Sequence, residues 1–263
     1  AIIIPFALCS IIYGVTHFSK KYITLGGASI ALYVVIMIVC SPLVSYKAHR
    51  ELLGNVEGVE FSSQIKHIDL KQLPTIDKEL ADKLADKKLG EIPSLGSQVY
   101  VGDLTLQSIN GELYYVAPLE HSSLFKWITN HKGTPGYVKV SATNQNDVQL
   151  VTELNGEPLN IKYLESSYLL TNLDRAAFLR DMKAAHTDYT FELDDEGKPY
   201  WVITRYDTGV GVTEKKAIGA LIIDAQTGQS EIYDIDNMPK WVDRIQPDRF
   251  IKNYIDKWGT LVH

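Results

Sequence analysis

The sequence predicts an α+β protein: an N-terminal transmembrane helical hairpin, then two similar modules, each a helix plus an antiparallel sheet (α-β-β-β-β). Three observations carry that expectation. The first 46 residues hold only two charged side chains, Lys20 and Lys21, although the 263-residue chain is 22% charged. The remainder repeats a glycine–aromatic–aliphatic pattern at a nearly constant offset. Each copy opens on helical spacing and continues in strand-like runs.

Whole-chain averages conceal this division. Mean hydropathy is −0.07 and net charge −6, values of an ordinary soluble protein. Setting aside Lys20 and Lys21 leaves 24 basic residues against all 32 acidic ones in residues 47–263, a formal charge of −8. Such a balance supplies no basic field for nucleic acid. Composition also excludes a collagen, a disordered acidic tail and a disulfide-stapled miniprotein.

Two charge-free runs, Ala1–Phe18 and Ile23–Tyr46, flank the short Ser19–Tyr22 connection. A helix rising ~1.5 Å per residue needs roughly 20 apolar residues to cross a bilayer. The second run clears that length. The first is borderline, and the absence of an initiator Met suggests residues missing upstream. Pro5 and Pro42 are tolerated near helix ends or as kinks. Tyr13, Tyr22, Tyr33 and Tyr46 include candidates for interfacial anchors. A buried hairpin of a soluble core and a signal peptide are the alternatives. Tandem charge-free runs weigh against the first, and the length of the second run against the other. Lys20 and Lys21 are balanced by Lys47 and Arg50, so the positive-inside count is a tie. Both cysteines, Cys9 and Cys40, lie in the apolar runs. Beyond them no disulfide or cysteine metal site can form, which suits a surface-exposed domain without requiring one.

In the polar part, Asn110-Gly-Glu-Leu-Tyr-Tyr-Val-Ala117 matches Glu196-Gly-Lys-Pro-Tyr-Trp-Val-Ile203, and Gly136-Tyr-Val-Lys-Val-Ser-Ala142 matches Gly219-Ala-Leu-Ile-Ile-Asp-Ala225. Ile76, Leu80 and Leu84 predict a helix from about Ile76 to Leu89, capped by Thr75 and stopped at Gly90. In the second copy Phe178, Met182 and Ala185 share a helical face, with Asn172 or Thr171 as cap. Strands are expected at Val99–Leu106 (interrupted at Gly102-Asp103), Leu113–Ala117, Tyr137–Ser141 and Val148–Val151. Their counterparts are Tyr189–Leu193, Tyr200–Arg205, Ala220–Ile223 and Ser230–Tyr233. Each sheet would keep one wet face and lay the other on its helix.

The hairpin Leu221-Ile-Ile-Asp-Ala-Gln-Thr-Gly-Gln-Ser-Glu-Ile-Tyr233 resembles the terminal hairpin of PepSY-type domains, small helix-plus-sheet modules of peptidase propeptides and bacterial envelope proteins. The first copy departs from it, with Ser141-Ala-Thr-Asn-Gln-Asn146 in the turn. Membrane helices followed by tandem modules are similar to membrane-anchored surface proteins of Gram-positive bacteria. The resemblance spans residues 75–236 and rests on a short motif. It implies an extracytoplasmic place and a binding or inhibitory role, and supplies no catalytic residues.

No constellation for chemistry stands out. His17, His49, His67, His121, His131, His186 and His263 include no close metal pair. His17 is expected at the membrane interface, and His121 and His131 in a solvated loop. No nucleophile elbow, Walker A or dinucleotide fingerprint occurs, and Gly209-Val-Gly211 reads as a flexible loop. Asp194-Asp-Glu196 reads as a hairpin turn, and neither it nor Asp234-Ile-Asp-Asn237 fits a calcium loop. No cofactor or metal is expected. In the tail, Phe250, Ile251, Tyr254, Ile255 and Trp258 follow helical spacing, to dock on the second sheet or meet a partner. Gly259-Thr-Leu-Val reads as a strand start that the chain's end cuts short.

The expected organisation is two transmembrane helices in 1–46 (about 1–18 and 23–46), a linker at 47–74, modules at 75–155 and 156–236, and a tail helix at 237–263. The expected function is a membrane-tethered extracytoplasmic binding or regulatory protein without catalytic activity. The partners would be the lipid bilayer and another envelope protein or peptide, met through Trp241, Tyr254 and Trp258. The alternatives are an accessory subunit of an envelope transport or secretion assembly, whose helices would pack through Gly26-Gly27-Ala28-Ser29, and an envelope hydrolase with a non-local site.

Overall fold

The computed structural model describes residues 3–41, 44, 46–47, 73–209 and 214–262. The expected linker lies almost wholly outside them, as do His49, His67, His263 and most of the Gly209-Val-Gly211 loop. In chain order the helices and strands begin with α1 (Ile3–Thr16), α2 (Lys20–Val39), α3 (Lys78–Gly90), α4 (Pro93–Gly96), β1 (Val99–Val101), β2 (Thr105–Ile109) and β3 (Glu112–His121). There follow α5 (Leu124–Thr129), β4 (Tyr137–Ser141), β5 (Val148–Val151), β6 (Glu153–Leu154), β7 (Glu157–Pro158) and α6 (Leu173–Arg180). The last are β8 (Ala185–Leu193), β9 (Pro199–Thr208), β10 (Lys215–Asp224), β11 (Ser230–Asp234) and α7 (Asp248–Val262). Two compact units result: Ala1–Glu57 with Thr208–Lys216 and Asp248–His263, and Gly58–Asp207 with Ala217–Pro247.

In the smaller unit α2, 20 residues long, is the one helix among the described residues long and apolar enough to cross a membrane. It stops before Pro42, which disfavours helical backbone at the preceding residue, so it falls short of Tyr46. α1 has 14 residues, about 21 Å of helix against a hydrocarbon core of about 30 Å. It ends earlier than expected because the chain turns at His17–Ser19, with Phe18 at φ +48°. Ala7 and Gly14 of α1 and Gly26 of α2 are buried. A Cβ on Gly26 would press on Ile11 and lie 2.8 Å from the Ala7 carbonyl, so glycine permits this close approach. Tyr13 stacks on His17 and meets Tyr22 edge-on.

α7 occupies the same unit. The expected strand start at Gly259 is its last turn, where Thr260 Oγ1 donates to the Asp256 carbonyl. Phe250 and Tyr254 are buried. The Tyr254 hydroxyl donates to the Lys215 carbonyl, while Asn253 and Lys257 both meet the Glu214 carboxylate.

The larger unit holds a five-stranded and a four-stranded antiparallel sheet. In the first, β1 and β2 pair with successive parts of β3, which pairs with β4, and β4 with β5. The break between β1 and β2 falls at the expected Gly102-Asp103 interruption. The second sheet runs β11-β10-β9-β8. β6 and β7 form a separate small hairpin.

Strand alternation assigns the faces. Tyr115, Ala117 and Leu119 of β3 pack with Ala81, Ala85 and Leu89 of α3. Their neighbours Tyr114 and Val116 face a central core shared with Phe191, Leu193, Trp201, Ile203, Leu221 and Ile223 of the second sheet and with Leu173 and Ala177 of α6. The opposite face of the second sheet places Val202, Ala220 and Ile222 against Val242, with Met238, Trp241 and Ile245 alongside. Both faces of each sheet therefore carry apolar cover, instead of the one wet face expected. The sheets are also stitched edge to edge. The buried Gln107 side chain donates to the Leu193 carbonyl at 2.5 Å and accepts from its N–H at 2.9 Å, standing in for a strand's ladder bonds.

Several local expectations shift. Asp77, not Thr75, caps α3, accepting from Leu80 N. The Thr75 N–H instead donates to the Ala142 carbonyl. Asn172 caps α6. That helix ends at Arg180, with Leu173, Ala176 and Ala177 inward. Phe178 and Met182 are exposed, and Ala185 opens β8.

Candidate binding groove

A groove of about 530 Å³ lies on the outer face of the second sheet. Lys198, Ile222 and Asp224 form its floor, β11 one wall, and Tyr200, Pro239 and Trp241 the other. β11 ends the sheet, so its outer backbone edge is unpaired among the described residues.

The groove depends on how the β10–β11 turn closes. Asp224 Oδ1 accepts from Gln226 N at 2.8 Å and Thr227 N at 2.9 Å. Gly228, at φ +73°, returns the chain, and Arg180 donates to its carbonyl. The second carboxylate oxygen, Oδ2, is 2.7 Å from Lys198 Nζ. Burial pushes the Asp224 carboxyl up, but Lys198 and the turn N–H groups outweigh it, and the net direction is down. The hydrogen bond to Asp224 correspondingly raises Lys198. This internal ion pair leaves a nearly neutral floor.

Above it Tyr200 stacks on Trp241, centroids 5.0 Å apart and planes 28° apart. Lys198 Nζ is 5.0 Å from the Tyr200 centroid, within the range of a cation–π contact. The Tyr233 hydroxyl donates to Glu231 on β11, an interaction that raises its pKa, helped by burial. An aromatic wall, a polar rim and an open strand edge suit an extended chain better than a small metabolite.

A second cleft of about 510 Å³ is lined by Tyr100, Asp103, Glu120, Glu165, Tyr189 and Trp201 among others. Burial raises the Glu120 carboxyl although it accepts from Ser166 N at 3.0 Å and from Ser166 Oγ. Burial raises Glu165 as well.

Of the residues expected to meet a partner, Trp241 lines the groove. Tyr254 is buried on α7 with its hydroxyl engaged, and Trp258 is half-buried one turn on. His121 is not a loop residue: it ends β3, buried, with its pKa lowered by burial. His131 is exposed, as expected. His186 is buried beside Asp181, which Arg205 also contacts at 2.5 Å. Among the described residues no three His, Cys, Asp or Glu side chains could jointly hold a metal ion. Asp194 closes the β8–β9 turn by accepting from Glu196 N and Lys198 N.

The sequence motifs point to neither Lys198 nor Glu120, and to Asp224 only as part of the Leu221–Tyr233 hairpin. The signal for Glu120 is a carboxylate placed directly after the apolar run Val116–Leu119. Nothing local announces the Lys198–Asp224 pair. No protein-family model, curated protein or solved structure matches this chain.

Proposed function

We propose that this chain is a membrane-tethered, extracytoplasmic binding or regulatory protein of the bacterial envelope, without catalytic activity of its own. It holds an extended peptide segment of another envelope protein along β11. The observation that carries this reading is the groove itself, with the β11 edge, unpaired among the described residues, on one side and the Tyr200–Trp241 stack on the other. Main-chain pairing would supply affinity, and the aromatic wall would select side chains. α2 supplies the tether, and α1 packs on it as the other arm of a membrane hairpin.

The larger unit is a tandem of two related PepSY-like modules, 75–155 and 156–236. Matching glycines support that. Gly111 and Gly197 both stand at φ +84° in the β2–β3 and β8–β9 turns. Gly136 and Gly219 both stand where a Cβ would strike the carbonyl of the adjoining strand, at Val151 and Tyr233 respectively. An accessory role in a transport assembly has less support, because the Gly26 face of α2 is filled from within the chain.

The test is a displayed library of extended peptides, screened against the full chain reconstituted in lipid nanodiscs. Binders should weaken by roughly 30-fold or more on Trp241→Ala, the size of an aromatic hot spot, with the circular dichroism unchanged. Recovering no binder, or binders indifferent to both Trp241→Ala and Tyr233→Ala, contradicts the reading.

A further inference from the structure

On the larger unit, away from the groove residues, α5 and the turn Tyr168–Thr171 carry large apolar side chains into solvent. Phe125 is 77% exposed, Leu170 71%, Leu169 63% and Ile128 54%. The two segments form one patch. Between them the Trp127 ring lies 5.4 Å from Tyr168, and its Nε1 donates to Thr171 Oγ1 at 3.4 Å. Exposed apolar surface on this scale marks a contact with something else.

Leu169 adds a second observation. Its φ is +55°, a left-handed conformation that a bulky residue adopts only at a steric cost. The core does not offset that cost, because the side chain points outward.

Charge identifies the occupant. Residues 122–133 contain Lys126 and Lys132 and no carboxylate, and residues 166–172 carry no charged side chain. The chain as a whole stands at −6, so this patch is locally opposite to the rest. Two carboxylates adjoin the second segment: Glu165 lines the cleft beside Glu120, and Asp174 meets Tyr189 of that same cleft. Apolar prongs flanked by lysines match the boundary of an anionic bilayer, where rings and aliphatic tips enter the headgroup layer and ammonium groups stay at the phosphates.

We infer that α5 and the Tyr168–Thr171 turn dock on an anionic lipid surface. The inference rests on the reading of α2 as a membrane tether, which keeps a bilayer within the chain's reach. Side chains exposed to this degree on a six-residue helix stand in no shape-matched cavity, and a lipid surface offers none. Docking here would add a second, reversible membrane contact to the permanent one.

The experiment uses the full chain with Cys9→Ser and Cys40→Ser, reconstituted in vesicles of phosphatidylcholine alone or with a third of the lipid as phosphatidylglycerol. An environment-sensitive nitrobenzoxadiazole probe is attached through Phe125→Cys, and through Gln145→Cys as a control in the exposed β4–β5 turn. The probe at 125 should shift to the blue and lose emission to nitroxide-labelled lipid in the anionic vesicles. Both changes should shrink with Lys126→Gln and Lys132→Gln, and the probe at 145 should show neither. Water-like emission at 125 in both vesicle types overturns the lipid contact. So does shielding at 125 that persists in detergent and grows with protein concentration, which would mean that a second copy covers the patch. An alkaline carbonate wash separates the two readings. A chain washed off the vesicles overturns the tether and this contact with it. A carbonate-resistant chain with a water-like probe overturns this contact alone.

Discussion

Glu192 is buried on β8, where its carboxylate accepts from Thr190 Oγ1 at 2.9 Å and from Asp243 N at 3.3 Å. Burial lifts its pKa to about 7 from 4.5 despite those bonds. The folded state therefore binds this proton more tightly than the unfolded chain does. The resulting stabilisation is complete below about pH 4.5 and is lost as pH rises through 7. Glu192→Gln keeps the shape and cannot ionise. Relative to the parent it should gain about 2–3 kcal/mol between pH 5 and pH 8, read from unfolding of the larger unit in the full chain. A pH-independent difference would remove Glu192 as the titrating group. Gly136 and Gly219 make a second prediction at this scale. A Cβ at either meets the opposing carbonyl well inside contact distance. Gly136→Ala and Gly219→Ala should each cost roughly 1–3 kcal/mol or more, and two neutral substitutions would contradict the strand geometry.

Helix α6 shows what local signals can and cannot say. Asn172 was readable as its cap, and its side chain accepts from Arg175 N at 3.1 Å. Asn172→Ala should cost about 1 kcal/mol, measured as a drop in the unfolding midpoint, whereas Thr171→Val should cost less. Its buried face differs from the expected one. Phe178, Met182 and Ala185 have helical spacing, yet the inward residues are the small Ala176 and Ala177 with Leu173. Small residues let the helix lie close to the core, and side-chain size gave no hint of that. The strands were more legible, because β-alternation and turn residues are local. β4 and β5 fall at their expected ends, with the β4–β5 turn between them. The N-cap of α3 moved from Thr75 to Asp77 because Thr75 and Ile76 both donate to the Ala142 carbonyl, a bond to a residue far along the chain.

At the scale of the molecule, the division between an almost charge-free N-terminus and a polar remainder was visible in charge alone. The groove was not. Lys198, Asp224 and Trp241 come from β9's approach, the end of β10 and the segment after β11, and only pairing of the strands makes them neighbours. The same holds for Gln107, whose docking on Leu193 ties one sheet to the other. Gln107→Ala should cost about 1–3 kcal/mol, since it leaves buried backbone groups of β8 unpaired. If α2 tethers the chain as proposed, the polar unit stands outside the membrane. The most direct test of that placement labels Gln145→Cys, in the cysteine-free background, with a membrane-impermeant maleimide on intact bacterial cells expressing the full chain. Position 145 should be labelled without opening the cells, while the chain stays in the membrane fraction through an alkaline carbonate wash. Labelling only after the membrane is breached, or release of the chain by that wash, would contradict it.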